Sequence, residues 1–538
     1  MKLEINKPGG TSVDDMQQTG RVIAGNREPG KALLVVTSTW SKVTSCLQKA
    51  MDTAVIRGVT EADFNKMEPA ERIGYRRKVD DDPNSPDYWV VLKEHFERCI
   101  TEIEKNADPK EADSLKAKVI AHTNEAVGHI DAMARTKTRV PSIVDRYCFY
   151  LGEGFTAPIL ASHLRYSGVD AVHHEAARIM VTDSNFGDAT PIISGTRQRS
   201  KESGLITNLM RGQVVVMEGY GGADKDGRIT TFSRGGSDRT ATAMGQALTV
   251  YFDPITVCLY KADKDIAGIM SADPKMVKGA HSVNHMHYLE ASTLATMGGN
   301  ILHSKAVDHA IRSGSSKRSP FPIYVKSTAI PELPGTLIDN QFLTNEPSIK
   351  VISALTKVIS LRIGGMGMEK PGIVSATSNA LAMAGIDIAF IDQSSPLDLL
   401  FAYQYQGKEE GVALEKMLEK QSRITEQIAK EALGGNIGTA DIDSISAQPA
   451  SLVGVIGYGA ARFFNLDTVF NRLDGEEFDE LKQPDSYRIA TNPWGVSVLF
   501  NLRTGKIAQS DEDFKSRLIH REALIKAFIQ SAHDTFFR

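Results

Sequence analysis

At 538 residues the chain is too long for one ordinary core, and at roughly 150 residues per domain it implies about three to four folding units. Apolar residues at 41% and charged residues at 24% are the balance of a folded globular protein, which excludes wholesale disorder. Lys plus Arg at 62 against Asp plus Glu at 66 leave a formal charge of -4, so nothing global draws the chain to nucleic acid or to a membrane surface, and any anion site must be built locally. The four cysteines, Cys46, Cys99, Cys148 and Cys258, are far apart and show neither metal-ligand spacing nor the density of a disulfide scaffold. MKLEINKPGG lacks the basic region and apolar run of a signal peptide, and no later stretch offers about 18 uninterrupted apolar residues, so the expectation is a cytoplasmic, non-membrane protein.

In chain order, residues 3 to 6 alternate apolar and polar ahead of Gly9 and Gly10, and a helical run follows from Asp14 to about Ala24. The unit repeats at once, with a buried-strand run at Ala32 to Val36, a polar turn at Ser38 to Ser41 and a helix at Val43 to Met51; parallel strands joined by helices are implied. From 52 to 140 the composition turns charged and helical, as in Leu92 to Lys105 and Lys110 to Ala134, which predicts an all-helical insertion. Strands resume at Val214 to Met217 and Ile255 to Tyr260, with a hairpin around Asp226-Gly227 between them. Ile323 to Lys326 and Pro334 to Ile338 close an α/β domain covering 1–340, and Asn345-Glu346-Pro347 reads as a linker.

Beyond it comes a compact series of strand (Val358 to Ile363), helix (Gly372 to Ala384), strands (Ile386 to Asp392, Leu399 to Tyr405) and helix (Leu414 to Ala429). A second series of similar spacing runs from Leu452 to His533. The two read as degenerate copies of one small α+β unit, 350–432 and 450–538, joined by Gly434 to Pro449.

Several motifs could carry chemistry. In Lys7-Pro8-Gly9-Gly10-Thr11-Ser12 a cation at a strand end precedes two residues without side chains and then hydroxyls at a helix start, a composition that suits a phosphate; alone, such a turn is usually only a turn. Gly227 to Asp238 joins Arg234, a flexible Gly235-Gly236 and an acid that can cap the next helix, although a capped helix after a hairpin explains it equally well. Glu153 and Lys261 are expected at strand or loop ends, where clefts form in open α/β sheets. His281, His285 and His287 have ligand-like spacing without acidic or cysteine partners and read as a polar loop, and His173-His174 as a surface strand pair. Met366 and Met368 read as loop or core residues.

Taken in this order the pieces resemble the aspartate kinases of the amino acid kinase family over about residues 1 to 405. Lys7 to Val13 matches the family's Lys-Phe-Gly-Gly-Thr-Ser-Val except for Pro8, and Ser38 to Thr44, Val181 to Gly187, Thr230 to Asp238, Ile269 to Pro274, Gly298 to His303 and Pro334 to Ile338 have counterparts. The resemblance implies an α/β amino acid kinase-like three-layer αβα sandwich with a helical insertion, followed by two small ACT-like (βαββαβ) units, and ATP-dependent phosphorylation of L-aspartate with Mg²⁺. By it, Lys7 lies on the transferring phosphoryl group, Arg234 binds the α-carboxylate and Glu153 the ammonium, and Ser38 and Asp238 fix orientation. Gly9, Gly10, Lys261, Asp273 and Lys275 fall in or near the nucleotide site, with no metal held by protein ligands. It also implies an amino-acid effector at the ACT-like units and a homo-oligomer, dimer or tetramer.

The chemistry is coherent, because a carboxylate with a pKa of about 4 is already ionised near neutrality and needs no general base to attack a γ-phosphate. What must be overcome is repulsion, about 4 kcal/mol for two unit charges about 4 Å apart at an effective dielectric of about 20. Pro8, the Gly154 that follows Glu153 where the family commonly has arginine, and Asn300 where many members carry a lysine depart from the pattern. They keep open a kinase for another amino-acid carboxylate and a non-catalytic amino-acid sensor.

Overall fold

The computed structural model describes residues 1–57, 88–233, 235–262, 266–297, 304–314, 320–341, 349–365, 372–384, 386–395, 398–405, 411–434, 442, 444–473, 478–483, 487–493, 495–500 and 511–537. The chain divides into two compact units, the first made of Met1–Ile269, Asn284–Tyr288 and Leu302–Gln341, the second of Met270–Val283, Leu289–Ile301 and Phe342–Arg538. The division is therefore not a single cut near 340. Non-local bonds inside the second unit explain why: the Ser271 carbonyl accepts Ile352 N–H (2.8 Å), and Glu290 accepts Tyr458 N–H (2.7 Å) and meets Lys350 Nζ (3.1 Å).

In the first unit the strands are β1 (Lys2–Pro8), β2 (Lys31–Thr37), β3 (Ala171–His174), β4 (Val214–Glu218), β5 (Gly221–Ala223), β6 (Ile229–Thr231) and β7 (Ile255–Lys261). A short ribbon, β8 (Ile269–Met270) with β9 (Ser282–Val283), falls at and beyond the end of this segment, its Met270 and β9 counted with the second unit; the first unit resumes with β10 (His285–His287), β11 (Ile323–Ser327) and β12 (Thr336–Asp339). Eight of them form one sheet in the order β10-β12-β11-β7-β1-β2-β4-β3, parallel throughout from β11 to β3. Apolar runs such as Ala32 to Val36 are what a strand covered on both faces requires, and every residue of β4 is buried. β5 and β6 pair antiparallel across the expected turn, where Gly227 takes a positive φ.

The inserted helices Tyr88–Asn106 and Pro109–Thr136 pack Leu92, Cys99, Ile103, Val119 and Ile130 into the core that Leu33, Val35, Val214 and Val216 supply from the sheet. The second starts on Asp108, whose carboxyl accepts Lys110 N–H (2.9 Å), with Pro109 in the first turn. Much of the predicted insertion is thus helical, with 58–87 outside the described residues. His285 and His287 form a buried edge strand, not a polar loop, because β12 offers backbone partners and Asp339 takes His285 Nε2 at 2.8 Å.

The second unit carries β13 (Val351–Gly364), β14 (Ile388–Ser395), β15 (Asp398–Gln404), β16 (Ser444–Ile456), β17 (Tyr487–Asn492) and β18 (Gly495–Phe500), antiparallel in the order β14-β15-β13-β16-β18-β17. Each half contributes a long strand, a hairpin and a long helix (Gly411–Gly434 and Asp511–Phe537), and the two long strands lie side by side, so the repeat is visible as a near-symmetric strand order. The joiner expected over Gly434 to Pro449 is corrected at its end: Ser444 to Pro449 belong to β16 and pair with Ile359 to Gly364. The linker at 345–347 and Met366 and Met368 lie outside the described residues. Among the described residues no helix is long and apolar enough to cross a membrane.

Candidate active site

The parallel strands β7, β1, β2 and β4 end together, and the loops that leave their carboxyl ends converge. Gly9 N–H donates to the Tyr260 carbonyl at 2.9 Å. A side chain at Gly9 would place Cβ 3.0 Å from that same oxygen, and one at Gly10 would place it 3.0 Å from the Thr39 carbonyl and 3.2 Å from Ser41. The glycines are thus required by the close approach of three strand ends. They open the turn Gly10–Val13, whose first N–H groups have no intrahelical acceptor.

Lys7, the penultimate residue of β1, places Nζ 2.7 Å from Asp238 Oδ1, with both side chains almost wholly buried. Asp238 comes from the first turn of the helix Gly236–Leu248, which follows Gly235 at φ +77°. The adjacent Ser237 Oγ lies 3.3 Å from Glu153 Oε1 and 3.5 Å from Ser38 Oγ, linking the loops after β2 and before this helix to a third element. Gly219, just past β4, lets this happen, since a Cβ there would sit 2.6 Å from that of Ser237. Lys261 ends β7, and its carbonyl accepts Thr328 N–H at 2.8 Å.

Glu153 is the most unusual group. It begins the helix Glu153–Tyr166 and is 2% exposed. It follows the helix Pro141–Tyr150 across a sharp joint, where a strand or loop end was expected; Gly152 makes the joint possible, because a Cβ there would lie 2.6 Å from the Cys148 carbonyl. Burial pushes its carboxyl up to about 8, against the downward pull of hydrogen bonds from its own and the Thr39 backbone and from Ser237, and of the Lys7 charge. Its Oε2 and the neighbouring Thr39 Oγ1 are buried without a hydrogen-bond partner among the described residues. A buried acceptor left open costs about 1–3 kcal/mol unless a donor arrives, so the arrangement suits an incoming cationic N–H group.

The structure brings together Lys7, Gly9, Gly10, Ser38, Glu153, Asp238 and Lys261. Arg234 lies outside the described residues, and Asp273 and Lys275 belong to the second unit, both exposed, with Asp273 Oδ1 accepting Lys275 N–H at 2.9 Å. Ser237, Thr39 and Gly219 are members that the sequence reading did not single out. Ser237 stands between two residues that it did weigh, Gly236 and Asp238, and a hydroxyl between a glycine pair and an acid was the available signal.

A model of the amino acid kinase family matches residues 2–318. The lysine-sensitive aspartokinase 3 of Escherichia coli strain K12 is 26% identical over 395 residues, 73% of this chain and 76% of that one. Crystal structures of E. coli aspartokinase III with aspartate and ADP (R-state) and with lysine and aspartate (T-state) superpose with TM-scores of 0.67 and 0.62. Identities are 20% and 21%, with 100% of both chains covered in each case, which establishes the fold.

Proposed function

The chain belongs to the amino acid kinase family, and from that premise we propose that it transfers the γ-phosphoryl group of ATP to the β-carboxylate of L-aspartate, giving 4-phospho-L-aspartate. The observation that carries the reading is the buried Lys7–Asp238 pair beside the half-partnered Glu153: a cation for a phosphoryl group and an acceptor for an ammonium, connected through Ser237. Lys7 offsets charge on the transferring group, and Asp238 holds its amine in place. Glu153 takes the substrate ammonium, which keeps the carboxyl ionised despite burial, with Ser38 and Ser237 lining the same side and Arg234 taking the α-carboxylate. No general base is called for, since the acceptor carboxylate arrives ionised.

The Gly9-Gly10 turn, where a Cβ would press on neighbouring carbonyl oxygens, fits a phosphate tail approached by backbone N–H groups, and Lys261 extends the nucleotide site. Mg²⁺ bound to the nucleotide would offset phosphate charge; among the described residues no group of three His, Cys, Asp or Glu is placed to hold a metal ion alone. In this reading 1–340 is the catalytic domain with its 52–140 insertion, 350–432 and 450–538 are ACT-like units that bind an amino-acid effector, and the chain works as a homo-oligomer.

Incubation with ATP, Mg²⁺, L-aspartate and hydroxylamine tests the reaction. Aspartyl hydroxamate is the expected product; no aspartate-dependent signal at high enzyme concentration defeats the reading, and a signal with another amino acid alone changes the acceptor. Lysine, threonine and methionine added to the same assay test the effector role, and insensitivity to all three leaves the second unit with a structural role.

A further inference from the structure

We propose that the inserted helix Tyr88–Asn106 is part of the amino-acid site, with His95 a positioning residue that aims the Glu153 carboxyl by holding the Leu151 carbonyl. The inference rests on the reading above, in which Glu153 receives the substrate ammonium.

Leu151 closes the helix Pro141–Tyr150, giving its N–H to the Tyr147 carbonyl (3.0 Å), while its own carbonyl is one of the terminal acceptors that a helix leaves unused. His95 Nε2 meets that oxygen in a short hydrogen bond. A carbonyl only accepts, so Nε2 carries the hydrogen and Nδ1, buried without a partner among the described residues, is bare. Burial lowers the ring's pKa to about 4, so this neutral donor form persists across the physiological range. The ring is itself fixed: Trp40 lies edge-on at 5.8 Å, Phe155 stacks at 6.1 Å, and Cys99 Sγ is 3.6 Å from Nε2.

Between Leu151 and Glu153 stands only Gly152, at φ -90° and ψ -103°, which has no side chain to hold the joint. The aim of Glu153 therefore depends on what grips the Leu151 peptide. One turn further along the inserted helix, Arg98 Nη2 lies 2.7 Å from Asp14 Oδ1, and its guanidinium sits 5.1 Å over the Trp40 ring. Asp14 in turn accepts Ser41 N–H at 3.2 Å and the Ser41 hydroxyl. One helix face thus grips the loop after β1, the loop after β2 and the Glu153 joint.

The full-length chain carrying H95N, H95L or H95Q, assayed by hydroxamate trapping, tests this. Asparagine is too short to reach Leu151, whereas the glutamine amide reaches about as far as Nε2. H95N and H95L are expected to raise the aspartate KM about tenfold while kcat and the ATP KM stay within about twofold, the size of one lost buried hydrogen bond. H95Q restores the aspartate KM, and the pH profile of that KM shifts in H95N but not in H95Q. An unchanged aspartate KM in H95N overturns the positioning role, as does a joint loss of kcat, both KM values and thermal stability that H95Q shares. A wild-type chain silent with aspartate contradicts the functional reading instead, and the positioning role falls with it.

Discussion

Glu153 and Glu415 are both buried glutamates, 2% and 4% exposed, and the chain treats them in opposite ways. Glu415, on the helix Gly411–Gly434, faces the guanidinium of Arg521 on Asp511–Phe537, with Nη1 3.4 Å from Oε2 and Nη2 against Oε1. One turn along, Arg517 meets Glu419 at 2.9 Å. Those pairs join the equivalent helices of the two repeats. Glu153 has backbone N–H groups and the Ser237 hydroxyl near its carboxyl, but among the described residues it has no protein cation bonded to it and no hydrogen-bond partner on Oε2. A buried carboxylate with a built-in cation holds a structure together, while one whose acceptor capacity is left half open is an instrument for a ligand.

Breaking each glutamate separates the two roles. R521A strands the Glu415 charge in the interior, and chemical denaturation should show about 3–5 kcal/mol lost, while E415L/R521M recovers most of it; a loss under about 1 kcal/mol removes the structural role of the pair. K7A deletes the cation of the other site and should lower kcat about 10²–10³-fold in the hydroxamate assay. An unaltered kcat would take Lys7 out of the chemistry. E153Q should raise the aspartate KM about 10–100-fold with the ATP KM unchanged and the fold no less stable, since it exchanges a raised-pKa acid for a neutral isostere. A stability loss like that of R521A would make Glu153 a structural group after all.

The same carboxyl also makes stability depend on pH. The folded pKa of Glu153, about 8, lies above the ordinary 4.5, so the fold favours the protonated form. This contribution is fully present below 4.5 and is lost as pH rises to about 8, at up to about 1.4 kcal/mol per pH unit. Unfolding free energies measured from pH 5 to 8 should fall in wild type relative to E153Q, and parallel curves would show that Glu153 titrates normally.

The parallel sheet was legible because a strand covered on both faces needs an apolar run, and Ala32 to Val36 and Val214 to Met217 are such runs. Gly9 and Gly10 stood out as two residues without side chains between a strand end and hydroxyls at a helix start, and a Cβ at either would come within 3.0 Å of a neighbouring carbonyl oxygen. Ser444 to Pro449 did not read as strand: Ser, Gln and Pro are poor strand formers, and only the long partner β13 recruits them. The return of Met270–Val283 and Leu289–Ile301 to the second unit was equally hidden, because Ser271 and Glu290 find their partners at Ile352 and Tyr458, beyond any local periodicity. His95 gave no signal either, since its partner is a backbone carbonyl 56 residues away.

Isothermal titration of aspartate into the chain near pH 7, repeated in buffers of different ionisation enthalpy, tests the central claim most directly. If the free Glu153 carboxyl is protonated and the substrate ammonium ionises it, binding should release up to one proton per aspartate in wild type and none in E153Q. Aspartate binding without proton release, or the same release from E153Q, would contradict the account.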